Sequence, residues 1–345
     1  MKNFRDILIE HASRYPHMTG RDAAKLIFQS EYGMGHILSS SFHKRLMEEY
    51  ESLKALPCDT KIEDIGNGVC RVYLPCLDVL EVSALSKLCV DGAENYKIVP
   101  EGYDKKLYEA EILCREGFFN FDSSELEEFR VPSVIGHSKR YREEYRPAYR
   151  VLPMMYALFL PLFSRLERDL SEGMYISIGI DGMCGSGKST LCDIIQRVYG
   201  TEAVRMDDFF LPPELRTPER LNSPGGNVHS ERFILECAEG IRTGKGFSYR
   251  IFDCSIMDYN GEKKIPPSSL RLTEGSYCLH PAHGDIYTIR VFLKLSSKEQ
   301  SRRILLRNGK EMHKMFIERW IPMENRYFEH FEIEKNADFV ICADV

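Results

Sequence analysis

The chain has 345 residues, enough for two domains of ordinary size, and its 43% hydrophobic and 28% charged composition is that of a globular protein. A net charge of −6 gives no basic field for nucleic acid or an anionic membrane surface, and no block of like charges is long enough to be a tail. Eleven scattered cysteines without a C-x-x-C pair argue against a disulfide framework or a structural zinc site, so reduced thiols in a cytoplasmic protein are expected.

The first segment reads as an amphipathic helix rather than a signal core. Phe4, Ile7, Leu8 and His11 share one face, and Pro16 ends it. Thr19 is suited to cap a helix through Ala23, Ala24, Leu26 and Ile27 that stops near Gly33 and Gly35. Residues 19–37 have some helix-turn-helix rhythm, without the clustered basic surface that DNA binding requires. Residues 42–53 repeat the helical pattern, 68–74 are strand-like and closed by Pro75, and 79–88 and 103–116 return to helical spacing.

Residues 132–147 are polar and turn-rich. They carry most of an aromatic–basic cluster, His137, Tyr141, Arg142, Tyr145, Arg146, Tyr149 and Arg150, for which packing at a domain interface is favoured over stacking on a base or phosphate. The longest apolar run, 151–163, is short for a membrane span and contains Pro153 and Pro161, so a buried kinked helix is expected. Ser171-Glu172-Gly173 is a boundary signal. Residues 1–172 therefore read as a mainly helical α+β domain of unassigned role.

From Met174 the pattern changes to strand–helix alternation, as in a parallel α/β sheet. A strand over 176–181 leads into Gly182-Met183-Cys184-Gly185-Ser186-Gly187-Lys188-Ser189-Thr190, a full G-x-x-x-x-G-K-[ST] phosphate loop, and a helix follows to Gly200. The strand and helix on either side are the context this motif needs. Backbone N–H groups from Gly182 through Gly185, Ser186 and Gly187 to Thr190 would cradle phosphates, with the helix N-terminus adding its positive end. Lys188 would reach the β- and γ-phosphates of ATP, and the Ser189 hydroxyl would help hold Mg²⁺. Further strands are expected over 203–206, 249–252, 270–273, 287–295 and 337–342, with a long helical stretch from Ser297 to Phe331 broken at Pro322. The expected fold of residues 173–345 is thus a P-loop NTPase, with a mostly parallel sheet flanked by helices.

Downstream carboxylates narrow the chemistry. Asp207 and Asp208 follow the second strand, at the sheet edge where ligands sit, and either could position or deprotonate an acceptor hydroxyl. Glu274, after another strand, could reach a Mg²⁺ shell. Arg303 and Arg307 share a helix face and could neutralise a transferring phosphoryl group. Cys184 offers a redox-sensitive thiol only if its position is more than permissive. His280 and His283 are expected on a surface loop.

The order of phosphate loop, Asp207-Asp208-Phe209-Phe210, Phe252-Asp253, Glu274-Gly275, Arg302-Arg303 and Lys335-Asn336-Ala337-Asp338-Phe339-Val340-Ile341 resembles the uridine kinase, phosphoribulokinase and pantothenate kinase superfamily, uridine kinase-like proteins above all. The resemblance covers residues 174–345. It implies ATP-dependent phosphorylation of a hydroxyl on a small molecule, uridine or another nucleoside. Asp207 then matches the catalytic carboxylate, with Lys188 and Arg303 beside it in the chemistry. Asp208 and Asp253 fall on the acceptor side, Glu274 near Mg²⁺, and Arg302, Arg303 and Arg307 in a lid over the phosphates. Arg307 stands one residue later than the usual lid spacing, and Cys254-Ser255-Ile256-Met257 replaces the His-Ser-Arg that reads a pyrimidine. No nucleic-acid or membrane partner is implied, and a homo-oligomer is left open. An ATP-dependent switch or NTPase whose N-terminal domain binds a partner is the alternative reading.

Overall fold

The structure, a computed structural model, describes residues 3–33 and 41–344. The chain forms two compact units, one ending at Glu167 and the other running from Arg168 to Asp344. Gly35 and Ile37, invoked for a helix end and a helix-turn-helix, lie outside the described residues.

The first unit contains α1 (Phe4–Arg14), α2 (Gly20–Tyr32), α3 (Phe42–Leu53), β1 (Ile62–Gly66), β2 (Val69–Tyr73), α4 (Val79–Asn95), α5 (Tyr103–Arg115), α6 (Lys139–Tyr145), β3 (Tyr149–Pro153) and most of α7 (Met154–Ser171). Asn3 caps α1 by accepting from the Asp6 amide at 2.8 Å. The Thr19 amide donates to Asp22 at 3.0 Å at the start of α2. Strands β1, β2 and β3 form one antiparallel sheet in that order. Asn67 and Gly68, both at positive φ (53° and 67°), turn β1 into β2, the conformation that Asn-Gly hairpin turns adopt. The expectation of a helix from Val151 is corrected: residues 151–153 finish β3, and the helix begins at Met154. Val151, Leu152 and Pro153 extend to pair with Arg71, Cys70 and Val69, so sheet pairing overrides the apolar run.

Members of the aromatic–basic cluster pack on one another within this unit. His137 stacks on Tyr141 with ring centres 4.1 Å apart, and the Arg71 guanidinium lies 4.5 Å from the Tyr149 ring centre. His137 Nδ1 bonds Asp22 at 2.8 Å and Nε2 bonds the Tyr149 hydroxyl at 2.6 Å. The expectation of reduced thiols throughout is corrected as well, because Cys58 and Cys76 form a disulfide with Cα atoms 5.4 Å apart. Residue 58 precedes β1 and residue 76 follows β2, so the hairpin returns them to one place. Their spacing alone carries no sign of this.

The second unit contains β4 (Ile176–Gly182), α8 (Lys188–Tyr199), β5 (Ala203–Arg205), α9 (Pro218–Asn222), α10 (Ser230–Phe233), α11 (Glu239–Thr243), β6 (Phe247–Asp253), β7 (Asp258–Ile265), β8 (Leu270–Glu274), β9 (Ile289–Lys294), α12 (Ser297–Met315), α13 (Ile321–His330) and β10 (Phe339–Cys342). Five strands make a fully parallel sheet in the order β10-β9-β4-β8-β5. Every residue of central β4 is buried, as expected of a strand covered on both faces. The expected strand at 249–252 belongs instead to a separate antiparallel hairpin of β6 and β7. β7 is mostly exposed and polar, so hydrophobic periodicity does not reveal it. The long C-terminal helix breaks at Gly309 (φ 74°, ψ 175°), not at Pro322. Pro322 follows directly on a π-helical turn, Phe316–Trp320, through which α12 runs on into α13, so the helical path continues past it.

Candidate active site

Gly182 ends β4 at φ 140°, and a Cβ there would lie 2.1 Å from the Leu293 carbonyl oxygen of β9. Only glycine lets the chain leave the sheet at this point. The loop then winds into the N-terminus of α8, whose first-turn amides have no intrahelical partners. Lys188 is buried and folds back across the loop, donating to the carbonyls of Gly182 at 2.7 Å and Met183 at 3.1 Å. The Ser186 hydroxyl oxygen is buried without a hydrogen-bond partner. The orphaned hydroxyl and the coiled glycine backbone leave polar groups for an oxyanion ligand to satisfy.

Strand order brings the carboxylates to the loop. β4, β8 and β5 lie side by side and parallel, so their C-terminal ends form one edge. Glu274, the last residue of β8, accepts from the Ser189 hydroxyl at 2.9 Å and pairs with Arg205, the last residue of β5, at 2.6 Å. Arg205 is held in turn by Asp193 at 2.6 Å and Gln196 at 2.8 Å. Asp207 follows two residues later and remains exposed to the cleft, with no donor to its carboxylate among the described residues. Desolvation by the cleft walls and the nearby Glu274 carboxylate raise its pKa above the ordinary range, with Lys188 opposing them.

A cleft of about 980 Å³ opens over this edge. Its lining includes Cys184, Gly185, Ser186, Gly187, Lys188, Ser189, Thr190, Asp207, Glu274, Arg303 and Arg307, so most of the anticipated residues share one space. Gly182, Asp208, Asp253 and Arg302 are not part of that lining. Gly182 lies beneath the loop, and Asp208 accepts from the Tyr249 hydroxyl at 2.8 Å. Asp253 is bound within the hairpin turn by Ser255 at 2.6 Å and Asn260 at 3.2 Å. Arg302 turns outward to Glu299 at 2.6 Å. Arg303 also bonds Glu299, and further donates to the Ala343 carbonyl at 2.6 Å. The Arg307 guanidinium lies 5.9 Å from the Phe316 ring centre.

Several neighbours carry no motif signal. Asp181 is fully buried behind the loop, where it accepts from the Tyr277 and Leu279 amides and from the Tyr327 hydroxyl at 2.8 Å. Burial pushes its pKa up to about 6, and Lys188 opposes that rise. Glu324 of α13 accepts from the Cys184 amide at 2.9 Å and from Ser276 at 2.7 Å, tying that helix to the loop. A carboxylate 140 residues from the loop is visible only after folding. Cys184 is itself buried, its thiol pushed up to about 12 by desolvation, which keeps it protonated and poorly nucleophilic. His283, expected at the surface, is 3% exposed and bonds the Cys278 carbonyl at 3.0 Å.

A glycine-rich loop between a parallel strand and a helix, on a five-stranded sheet flanked by helices, is the P-loop NTPase fold. The similarity supports a uridine kinase-like segment over about half of the chain, and the N-terminal half is unrecognised. A uridine kinase of Clostridium perfringens is 25% identical over 184 residues, covering 48% of this chain and 86% of that protein. A chloroplastic uridine/cytidine kinase of Arabidopsis thaliana is 22% identical over 179 residues, covering 48% of this chain. The chain spans only 37% and 40% of the lengths of the two Arabidopsis relatives it matches. Among solved structures, a possible uridine kinase from Bacillus stearothermophilus aligns at a TM-score of 0.37 and 19% identity, over 49% of this chain and 89% of that one. No family model matches the chain. Among the described residues no helix is long and apolar enough to cross a membrane.

Proposed function

We propose that residues 173–345 are a kinase domain that transfers the γ-phosphoryl group of ATP to a hydroxyl of a small molecule, and that residues 1–172 are an accessory domain. The observation that carries this reading is the shared cleft of Lys188, Ser189, Glu274 and Asp207 at the carboxyl edge of the sheet. The relatives' names, uridine kinase and uridine/cytidine kinase, make a nucleoside the first acceptor to try.

Among the described residues no group of three or more His, Cys, Asp or Glu would enclose a metal. The Ser189–Glu274 pair nevertheless fits Mg²⁺, which typically takes one or two protein oxygens and completes its shell with phosphates and water. Ser189 and Glu274 would hold that ion, whose charge neutralises the β- and γ-phosphates when bound. Lys188 would leave its loop carbonyls for the phosphates. Asp207 would accept the proton of the acceptor hydroxyl as its oxygen bonds to the γ-phosphorus and the bond to the β,γ-bridging oxygen breaks. ADP departs, the acceptor keeps the phosphoryl group, and Asp207 returns its proton to solvent. Arg303 and Arg307 would balance the charge on the transferring group.

The test is an ADP-release screen over nucleosides and sugars with the Lys188→Ala protein as blank. Stimulation by one acceptor supports the kinase, and slow hydrolysis that no acceptor accelerates favours a nucleotide switch.

A further inference from the structure

The segment from Leu211 to Val228 supplies no group to the transfer step above, yet it is firmly braced. Phe210 bridges Val228 as an antiparallel pair, and the Leu211 amide donates to the Asn227 carbonyl at 3.2 Å. Arg220 donates to the carbonyls of Gly226 and Val228, each at 3.1 Å, and pairs with Glu231 at 2.7 Å. A Cβ on Gly226 would sit 1.8 Å from the Arg220 carbonyl oxygen, so the turn closes only with glycine. This loop presents Arg216, Leu221 and Asn227 to the cleft that contains Asp207.

Arg216 is half-buried, and its Nε donates to the Leu211 carbonyl at 2.8 Å, which fixes the plane of the guanidinium. In the same unit Arg205, Arg220, Arg232 and Arg250 each pair with a carboxylate. No carboxylate among the described residues pairs with Arg216. The Cys254 thiol, also in the cleft wall, has its pKa raised by burial, lowered by Arg216 and raised by Asp207. The guanidinium, the Cys254 thiol and the Asp207 carboxylate line one cleft.

The carboxylates suited to accept hydrogen bonds from a neutral polyol are engaged elsewhere. Asp208 is bound to Tyr249, and Asp253 is closed within its own hairpin. What this end of the cleft offers is the Arg216 cation, held in place by the Leu211 carbonyl. A half-buried, oriented guanidinium without a counter-charge matches a phosphate or carboxylate in geometry and charge.

We propose that the acceptor carries an anionic group, phosphate or carboxylate, which Arg216 binds while the acceptor hydroxyl faces Asp207. This rests on the kinase reading of the same cleft and narrows its substrate class away from neutral nucleosides. The test compares matched pairs on the full chain with ADP and Mg²⁺ present. Ribose 5-phosphate is set against ribose for a phosphate, and glycerate against glycerol for a carboxylate, with affinities read by ligand-observed NMR. At least one anionic member should bind about tenfold or more tightly than its neutral twin, and the preferred pair identifies the anion. Arg216→Gln should remove that preference and leave ADP affinity within about twofold, while Arg216→Lys should restore part of it. Equal binding within both pairs overturns the proposal. So does a loss in Arg216→Gln that falls on ADP instead of the anion. The transfer assay is scored separately: anion preference without phosphoryl transfer keeps the Arg216 site and removes the kinase reading.

Discussion

Lys188 donates to carbonyl oxygens of its own loop, so a triphosphate entering the cleft competes with these backbone acceptors for that ammonium. Lys188→Ala should lower kcat/KM for ATP by about 100-fold or more, the usual cost of losing a preorganised donor to a transferring group, while circular dichroism stays unchanged. Asp207 gives a second expectation, in pH. Its raised pKa means that the base form is lost on acidification earlier than for an ordinary carboxylate, so kcat/KM should fall through a limb displaced to higher pH. Removing the like charge with Glu274→Gln should move that limb of the residual activity downward. His137 gives a third, in stability. Burial lowers its folded pKa from 6.5 to about 4, so the folded state binds fewer protons than the unfolded state between those values. Stability is then fully present above pH 6.5 and declines as pH falls towards 4, by a few kcal/mol at most. Thermal melts across that window should show the decline, and His137→Gln should flatten it.

At the scale of elements, the β4–loop–α8 unit was legible because the glycine and lysine spacing permits few backbone paths, and strand patterning preceded it. Asp207 and Glu274 were legible as strand ends, since a parallel sheet gathers the carboxyl ends of adjacent strands. Glu324 was not, because its value comes from tertiary contacts that no local pattern encodes. Pro322 reads as a breaker in the sequence, but a π-helical turn over Phe316–Trp320 carries the helix through to it. Gly309, at φ 74° and ψ 175°, is the actual break. Gly309→Ala should cost about 1–3 kcal/mol, seen as faster amide exchange across α12. The Cys58–Cys76 bond closes a hairpin, and its reduction or Cys58→Ser should destabilise the first unit by about 3 kcal/mol in denaturant titration.

At the scale of the whole molecule, we infer that the second unit is a phosphotransferase rather than a nucleotide-sensing switch. Its parallel sheet brings a phosphate loop, a Ser–Glu pair and an unoccupied carboxylate into one cleft, an arrangement suited to moving a phosphoryl group onto a hydroxyl. The most direct measurement is acceptor-stimulated ADP release, run on the full chain and on Asp207→Asn across neutral and anionic alcohols. At least one alcohol should accelerate ADP release and appear phosphorylated in equal amount, and Asp207→Asn should abolish this acceleration while still binding ATP. ADP release at the same basal rate with every alcohol, or full acceptor-dependent turnover in Asp207→Asn, would contradict it.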